Sequence, residues 1–254
     1  MDLGLQGRHA VVTGASKGIG LACAKALVAE GCTVTLVSRD AGRLAEARKQ
    51  VGSQAQVFAA DLSKAEDRAK LAAAAPAPDI LVNNAGAIPG GNILGLSMET
   101  WQEAWSLKVF GYIHLTQLYL PAMMQRRSGC IVNIIGLAGV SPRWDYVCGA
   151  AGNAALISFT RALGGKTPES NVRVVGVNPA STRTDRIIEL SKARARQRDN
   201  GDDSRWEEFL SGLPFGRPAE PEEIAALTAM LASDRLAYVS GSVIDVDGGV
   251  QFRG

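Results

Sequence analysis

The chain has 254 residues, 46 % of them hydrophobic and 20 % charged, with a formal net charge of +2. This is an ordinary globular composition, long enough to bury a sizeable core. The charge is too small to argue for nucleic acid or an anionic membrane, and no apolar run approaches the length of a membrane-spanning helix.

In chain order, short β-branched runs alternate with longer amphipathic stretches. Strands are predicted at His9–Thr13, Thr33–Val37, Gln56–Ala59, Ile80–Val82, Cys130–Ile135, Arg173–Val177 and Val243–Val246. Helices are predicted at Gly18–Glu30, Ala41–Val51, Lys64–Ala75, Met98–Gln125, Ala150–Leu163 and Pro221–Ala232. The strands are apolar on both faces, as parallel strands covered on both sides must be. The alternation predicts one α/β domain over 1–254, a Rossmann-type doubly wound parallel sheet of seven strands with helices on both faces. The segment from Ala180 to Pro214 breaks the rhythm: it is polar, with SKARARQRDN in its middle. It reads either as a solvated loop or as a substrate-side lid.

The first strand runs into Thr13-Gly14-Ala15-Ser16-Lys17-Gly18-Ile19-Gly20 and then a helix. Gly14 permits a tight turn, Gly18 lets backbone approach a pyrophosphate, and Gly20 lets the helix pack on the strand. The helix start offers free N–H groups to phosphate oxygens. The second strand ends at Ser38-Arg39, with no acid to hold a ribose 2′-hydroxyl. Arg39, with Lys17 nearby, suits a 2′-phosphate instead, so NADP(H) is preferred over NAD(H).

Three further segments carry a resemblance: Asp61-Leu62, Asn83-Asn84-Ala85-Gly86, and Ser240-Gly241-Ser242-Val243-Ile244-Asp245-Val246-Asp247-Gly248-Gly249. With the glycine turn, the chain resembles a classical short-chain dehydrogenase/reductase over essentially its whole length. The resemblance implies that Asp61 and Leu62 meet the adenine and that Asn84, Ala85 and Gly86 line the cofactor cleft. It implies that Asn178-Pro179-Ala180 and Thr182 lie beside the nicotinamide and that Thr184 holds its carboxamide. Ala180 stands where the family usually has glycine.

The family's chemistry rests on a serine, a tyrosine, a lysine and an asparagine. By alignment of their surroundings, Gly136 stands at the serine position, Gly149 at the tyrosine, Asn153 at the lysine and Lys108 at the asparagine. Glycine offers no side-chain donor, and without a positioned acid, carbonyl reduction loses roughly 10²–10⁴-fold. Asn153 can still donate to ribose hydroxyls but cannot lower a neighbouring pKa. Lys108, aimed at the floor of the cleft, is the candidate to replace the missing acid; the alternative is a stem that fills space and a charge that turns to solvent. Tyr146 is the second candidate for proton transfer. Asp145 and Ser141 rim the same cleft, and Trp144 reads as pocket wall. Cys148 has no histidine near it in sequence, so a nucleophilic thiol there is weakly supported. His114 reads as a packed or interface residue.

Three functions stay open. The first is an NADP(H)-binding oxidoreductase acting on an alcohol or carbonyl with a non-standard proton-transfer site. The second is a catalytically silent cofactor-binding or regulatory protein. The third is a non-redox enzyme that uses Lys108 or Tyr146 on the same scaffold. The expected partner is a small-molecule substrate or ligand, not nucleic acid or a membrane. The resemblance implies a homodimer or homotetramer through the helices around Trp101–Gln125 and Ala150–Leu163. The opening MDLGLQGRHAVVTG lacks a secretory layout, and Cys23, Cys32, Cys130 and Cys148 show neither metal spacing nor a disulfide framework. A cytoplasmic protein with reduced thiols and no metal site is therefore expected.

Overall fold

The computed structural model describes residues 2–253. Seven strands form one sheet: β1 (His9–Thr13), β2 (Thr33–Ser38), β3 (Ala55–Ala59), β4 (Ile80–Asn83), β5 (Gly129–Ile134), β6 (Val172–Pro179) and β7 (Val243–Val246). Their spatial order is β3-β2-β1-β4-β5-β6-β7, and every neighbouring pair is parallel. The predicted doubly wound sheet is therefore present, with strand bounds within a residue or two of those expected.

The strand pattern explains both covered faces. Ala10 and Val12 of β1 enter one core, with Leu27 of α1 (Gly18–Ala29), Leu44 of α2 (Ala41–Val51) and Ile224 of α9 (Pro221–Ala232). Val11, one residue along, enters the opposite core with Leu71 of α3 (Ala65–Ala74) and with Leu115 and Tyr119 of α5 (Val109–Arg126). Successive side chains point to opposite faces, so one apolar strand feeds two cores. β1 lies between β2 and β4, so the chain reverses direction across the sheet there, and a crevice opens at the carboxyl ends.

Two predicted elements differ. The single helix expected over Met98–Gln125 is two, α4 (Met98–Leu107) and α5, joined at Lys108. The hydrogen-bond ladder continues through the joint, because Lys108 N donates to Ala104 O and Tyr112 N donates to Lys108 O. The 180–214 segment is not an irregular loop. It holds a 14-residue helix, α7 (Asp185–Arg198), and a short one, α8 (Glu208–Ser211).

A buried polar chain fixes α6 (Val147–Lys166) against the sheet. Asn83 Nδ2 donates to Asn133 Oδ1 at 2.9 Å, Asn133 Nδ2 donates to Thr160 Oγ1 at 2.9 Å, and Thr160 Oγ1 donates to Leu156 O at 2.7 Å. All three side chains are buried, so cutting the chain leaves an unpaired group in a dry interior. Asn133→Val and Thr160→Val should each lower stability by about 1–3 kcal/mol in urea unfolding. The double variant should cost less than the sum of the two by at least roughly 0.5 kcal/mol.

Candidate functional site

The carboxyl ends of β1, β4, β5 and β6 open into a cleft of about 1180 Å³. Gly14 and Gly18 hold φ of +64° and +57°, left-handed values that favour glycine. A Cβ on Gly20 would lie 2.4 Å from Gly14 O, so α1 packs directly on the turn. Asn84 clasps the same turn from β4: its Nδ2 donates to Thr13 O at 2.9 Å and its backbone N–H donates to Thr13 Oγ1 at 2.8 Å. Gly20 does not line the cleft; it serves by close packing, whereas Gly14, Ser16, Lys17, Gly18 and Ile19 line it.

The site fits a dinucleotide on two observations. The start of α1 has no side-chain cap and no acid in its first turn, so its first N–H groups are left for an anion in the cleft. The buried Asn153 Oδ1 on the cleft wall has no hydrogen-bond partner among the described residues, so an acceptor waits for a hydroxyl.

The end near β2 is basic, with a correction to the expected pair. Arg39 lines the cleft and meets no carboxylate within salt-bridge distance among the described residues. Ser38 Oγ and Ser16 Oγ lie 3.1 Å apart beside it. Lys17 is already paired with Asp185 of α7 at 2.7 Å, and that lysine holds the Asp185 carboxyl below its ordinary range. Arg39 is thus the free cation of the two. Asp61 does not line the cleft, because its Oδ1 closes its own turn by accepting from Ser63 Oγ at 2.7 Å and Ser63 N at 3.1 Å. Leu62, Ala85, Gly86, Pro179, Ala180, Thr182 and Thr184 all line it.

Of the four positions that the resemblance singles out, Lys108, Gly136 and Asn153 line the cleft and Gly149 does not. Gly136 sits at φ +137° with its carbonyl accepting from Asn153 Nδ2 at 3.3 Å, and a Cβ there would lie 2.9 Å from that Nδ2. The space above Gly149 is filled. A Cβ on Gly149 would lie 2.1 Å from Tyr146 Cε1 and 2.7 Å from Tyr146 Oη. Tyr146, one helical turn earlier, therefore lays its ring over the missing side chain. Its hydroxyl reaches only to the root of that position, not to its tip.

Lys108 turns inward from the joint between α4 and α5. Its Nζ donates to Ile135 O at 2.5 Å, and its stem packs where a Cβ on Gly86 would lie 2.8 Å from its Cδ. Burial, assisted by the nearby charge of Arg186, lowers its pKa to about 7. The other candidates take lesser places. Cys148 is buried and its thiol is pushed up by burial, away from thiolate chemistry. Trp144, expected as pocket wall, is exposed and does not line the cleft. His114 packs, its Nδ1 accepting from Arg68 Nε at 2.9 Å. Ser141 lines the cleft mouth.

Sequence reasoning missed Arg186 and Arg194 of α7 and Arg143, all of which line the cleft. Arg186 Nη2 donates to Ile88 O and, at 3.3 Å, to Tyr146 Oη. The only signal was the basic run SKARARQRDN, which contains Arg194 and does not reach Arg186. Among the described residues no cluster of three or more His, Cys, Asp and Glu side chains could hold a metal, and no helix is long and apolar enough to cross a membrane.

Comparison with known proteins agrees with this architecture. Residues 8–195 match the family model for short chain dehydrogenases. The 3-oxoacyl-(acyl-carrier-protein) reductase of Chlamydia muridarum is 32 % identical over 257 residues, spanning 97 % of this chain and 98 % of that protein. Galactitol 2-dehydrogenase of Cereibacter sphaeroides is 33 % identical over 251 residues, spanning 96 % of this chain and 95 % of the relative. Among solved structures, L-sorbose reductase of Gluconobacter frateurii in complex with NADPH and L-sorbose superposes with a TM-score of 0.89 at 33 % identity, covering 98 % of each chain. A 3-oxoacyl-(acyl-carrier-protein) reductase of Agrobacterium tumefaciens with NADP bound gives 0.87 at 30 % identity, covering 97 % of this chain and 95 % of that one. These nucleotide-bound neighbours support a nicotinamide dinucleotide as the ligand of the cleft. By its matched residues, its sheet order and its glycine turn, the chain belongs to the short-chain dehydrogenase/reductase family of oxidoreductases.

Proposed function

We propose that the protein is an NADP(H)-dependent oxidoreductase of an alcohol or carbonyl substrate in which Lys108 handles the proton. The observation that carries this reading is the Lys108 ammonium, turned into the cleft against Ile135 O with a pKa brought to about 7. A bound nicotinamide supplies or takes up the hydride; the chain must supply or take up the proton. The glycines at 136 and 149 cannot. Lys108, poised near neutrality, gives a proton to a developing alkoxide when charged and takes one from an alcohol when neutral. The amine left after reduction is recharged from solvent.

The cofactor half of the proposal rests on Gly14, Gly18, Ile19 and the uncapped start of α1 for the pyrophosphate. Arg39 with Ser38 and Ser16 would take the 2′-phosphate, and Asn153 would take a ribose hydroxyl. Leu62, Asn84, Ala85 and Gly86 would wall the adenosine side; Pro179, Ala180, Thr182 and Thr184 would wall the nicotinamide side, with α7 covering it. Assembly as a homodimer or homotetramer through α5 and α6 belongs to the same reading; Phe110 and Met124 of α5 are exposed. A second reading, binding without turnover, is favoured by one observation: the Tyr146 hydroxyl is held by Arg186 and stops at the root of the Gly149 position. Saturable NADPH binding with no oxidation across a panel of carbonyl compounds would select it.

The reading carries definite expected outcomes. Reduction needs the charged lysine, so kcat/KM for carbonyl reduction should be level in acid and fall as pH rises through about 7. Alcohol oxidation should rise over the same range. Lys108→Gln should remove both inflections and lower kcat by about 100-fold or more, measured by NADPH absorbance. An unchanged profile would assign the proton elsewhere. Arg39→Ala should weaken NADPH binding by roughly 10–100-fold and leave NADH nearly unaffected, read by fluorescence titration. Finally, Gly149→Tyr alone should destabilise the protein in thermal melts, because two rings compete for one space; the same change in a Tyr146→Ala background should be tolerated.

A further inference from the structure

On the substrate side the cleft is lined by Lys108, Arg143, Tyr146, Arg186, Leu190 and Arg194. Asp145, in the same segment as Arg143 and Tyr146, is shared between two of these cations: Arg143 at 2.6 Å and Arg194 at 3.6 Å. Arg186 meets no carboxylate within salt-bridge distance among the described residues. Lys108 is held by a neutral carbonyl. Two cations thus share one carboxylate while Arg186 and Lys108 have none within salt-bridge distance among the described residues, and two of the four register a neighbouring charge. Burial lowers the pKa of Arg194 with Arg143 adding to it, and burial lowers that of Lys108 with Arg186 adding to it.

Arg186 is also oriented rather than loose. Its Nη2 is fixed between Ile88 O and Tyr146 Oη, which leaves its other N–H groups for a ligand. Tyr146 Oη accepts from Arg186 and so keeps its own proton to donate. A guanidinium with an adjacent hydroxyl donor matches the paired oxygens of a carboxylate or phosphate.

We infer that the substrate carries an anionic oxygen group, gripped by Arg186 and the Tyr146 hydroxyl, on the side of the cleft away from Arg39. The inference rests on the oxidoreductase reading for the word substrate, but the anion site stands on its own geometry. It makes this cleft selective for an oxo- or hydroxy-acid, or a phosphorylated carbonyl compound, over a neutral one.

The test uses the full chain saturated with NADPH, so that the dinucleotide's own phosphate sites are filled. Acetate, inorganic phosphate and neutral acetamide are titrated at constant ionic strength and followed by thermal melting. Saturable stabilisation by acetate or phosphate and none by acetamide is expected. Arg186→Gln should weaken that binding about tenfold or more, and Tyr146→Phe by several-fold. Stronger binding of phosphate assigns a phosphorylated substrate; stronger binding of acetate assigns a carboxylic acid. Equal effects of acetamide and acetate, no saturable anion effect, or wild-type anion affinity in Arg186→Gln would each overturn the inference. If anions bind through Arg186 yet no oxo acid or phosphorylated carbonyl oxidises NADPH, the anion site stands and the oxidoreductase reading fails. If Arg186→Gln reduces a neutral ketone at the wild-type kcat/KM and anionic substrates no worse, the anion inference fails and the oxidoreductase reading stands.

Discussion

At the centre of the molecule α1 approaches the turn after β1 so closely that a single methyl at Gly20 would overlap Gly14 O. Asn84 and Thr13 complete the contact from the neighbouring strand, tying the carboxyl ends of β1 and β4 to one another. Everything in the cleft is referenced to this junction. It sets where the N–H groups of α1 point, and it sets the height at which Gly86 passes the stem of Lys108. Across the sheet, the buried Asn83–Asn133–Thr160 chain does the same for α6, which carries Asn153 and Gly149. The backbone of the site is therefore held by close packing and dry hydrogen bonds, and the cleft-lining side chains hang on that backbone.

The electrostatics are more uneven than a net charge of +2 suggests. The cleft has Arg39 and an uncapped helix start, Arg143 and Arg194 sharing a single aspartate, and Arg186 without a carboxylate partner among the described residues. Lys108 lines the same cleft and is strongly desolvated. A cation there is uncomfortable by construction, which is what brings an ordinary lysine to a pKa of about 7. On the proposed reading, burial above all readies Lys108 to lose a proton, the positive charge of the cleft draws in a negatively charged substrate, and that ligand would in turn raise the lysine's pKa, coupling binding to proton handling.

Much of this was legible in the sequence, for identifiable reasons. The strands announce themselves because both faces are apolar, and the turn announces itself because three glycines fall between a strand and a helix. Lys108, Gly136 and Asn153 were drawn from the sequence as cleft residues, and all three line the cleft. α7 was not legible as a helix: among its described side chains the fully buried ones are Ser191 and Ala195, one turn apart, too small and too few to show as an apolar stripe. With that helix went Arg186. The pairing of Lys17 with Asp185 was hidden for the same reason, since its partner begins the unseen helix. Nor can spacing reveal that the Tyr146 ring covers Gly149, because that depends on which way one side chain turns.

The overlap of Tyr146 with the Gly149 position also ties the two positions together. A side chain at 149 would meet the far end of the Tyr146 ring, so a larger residue there requires that ring to turn away or to be shortened. A change at either position is therefore felt at the other, and the two are expected to vary as one packing unit.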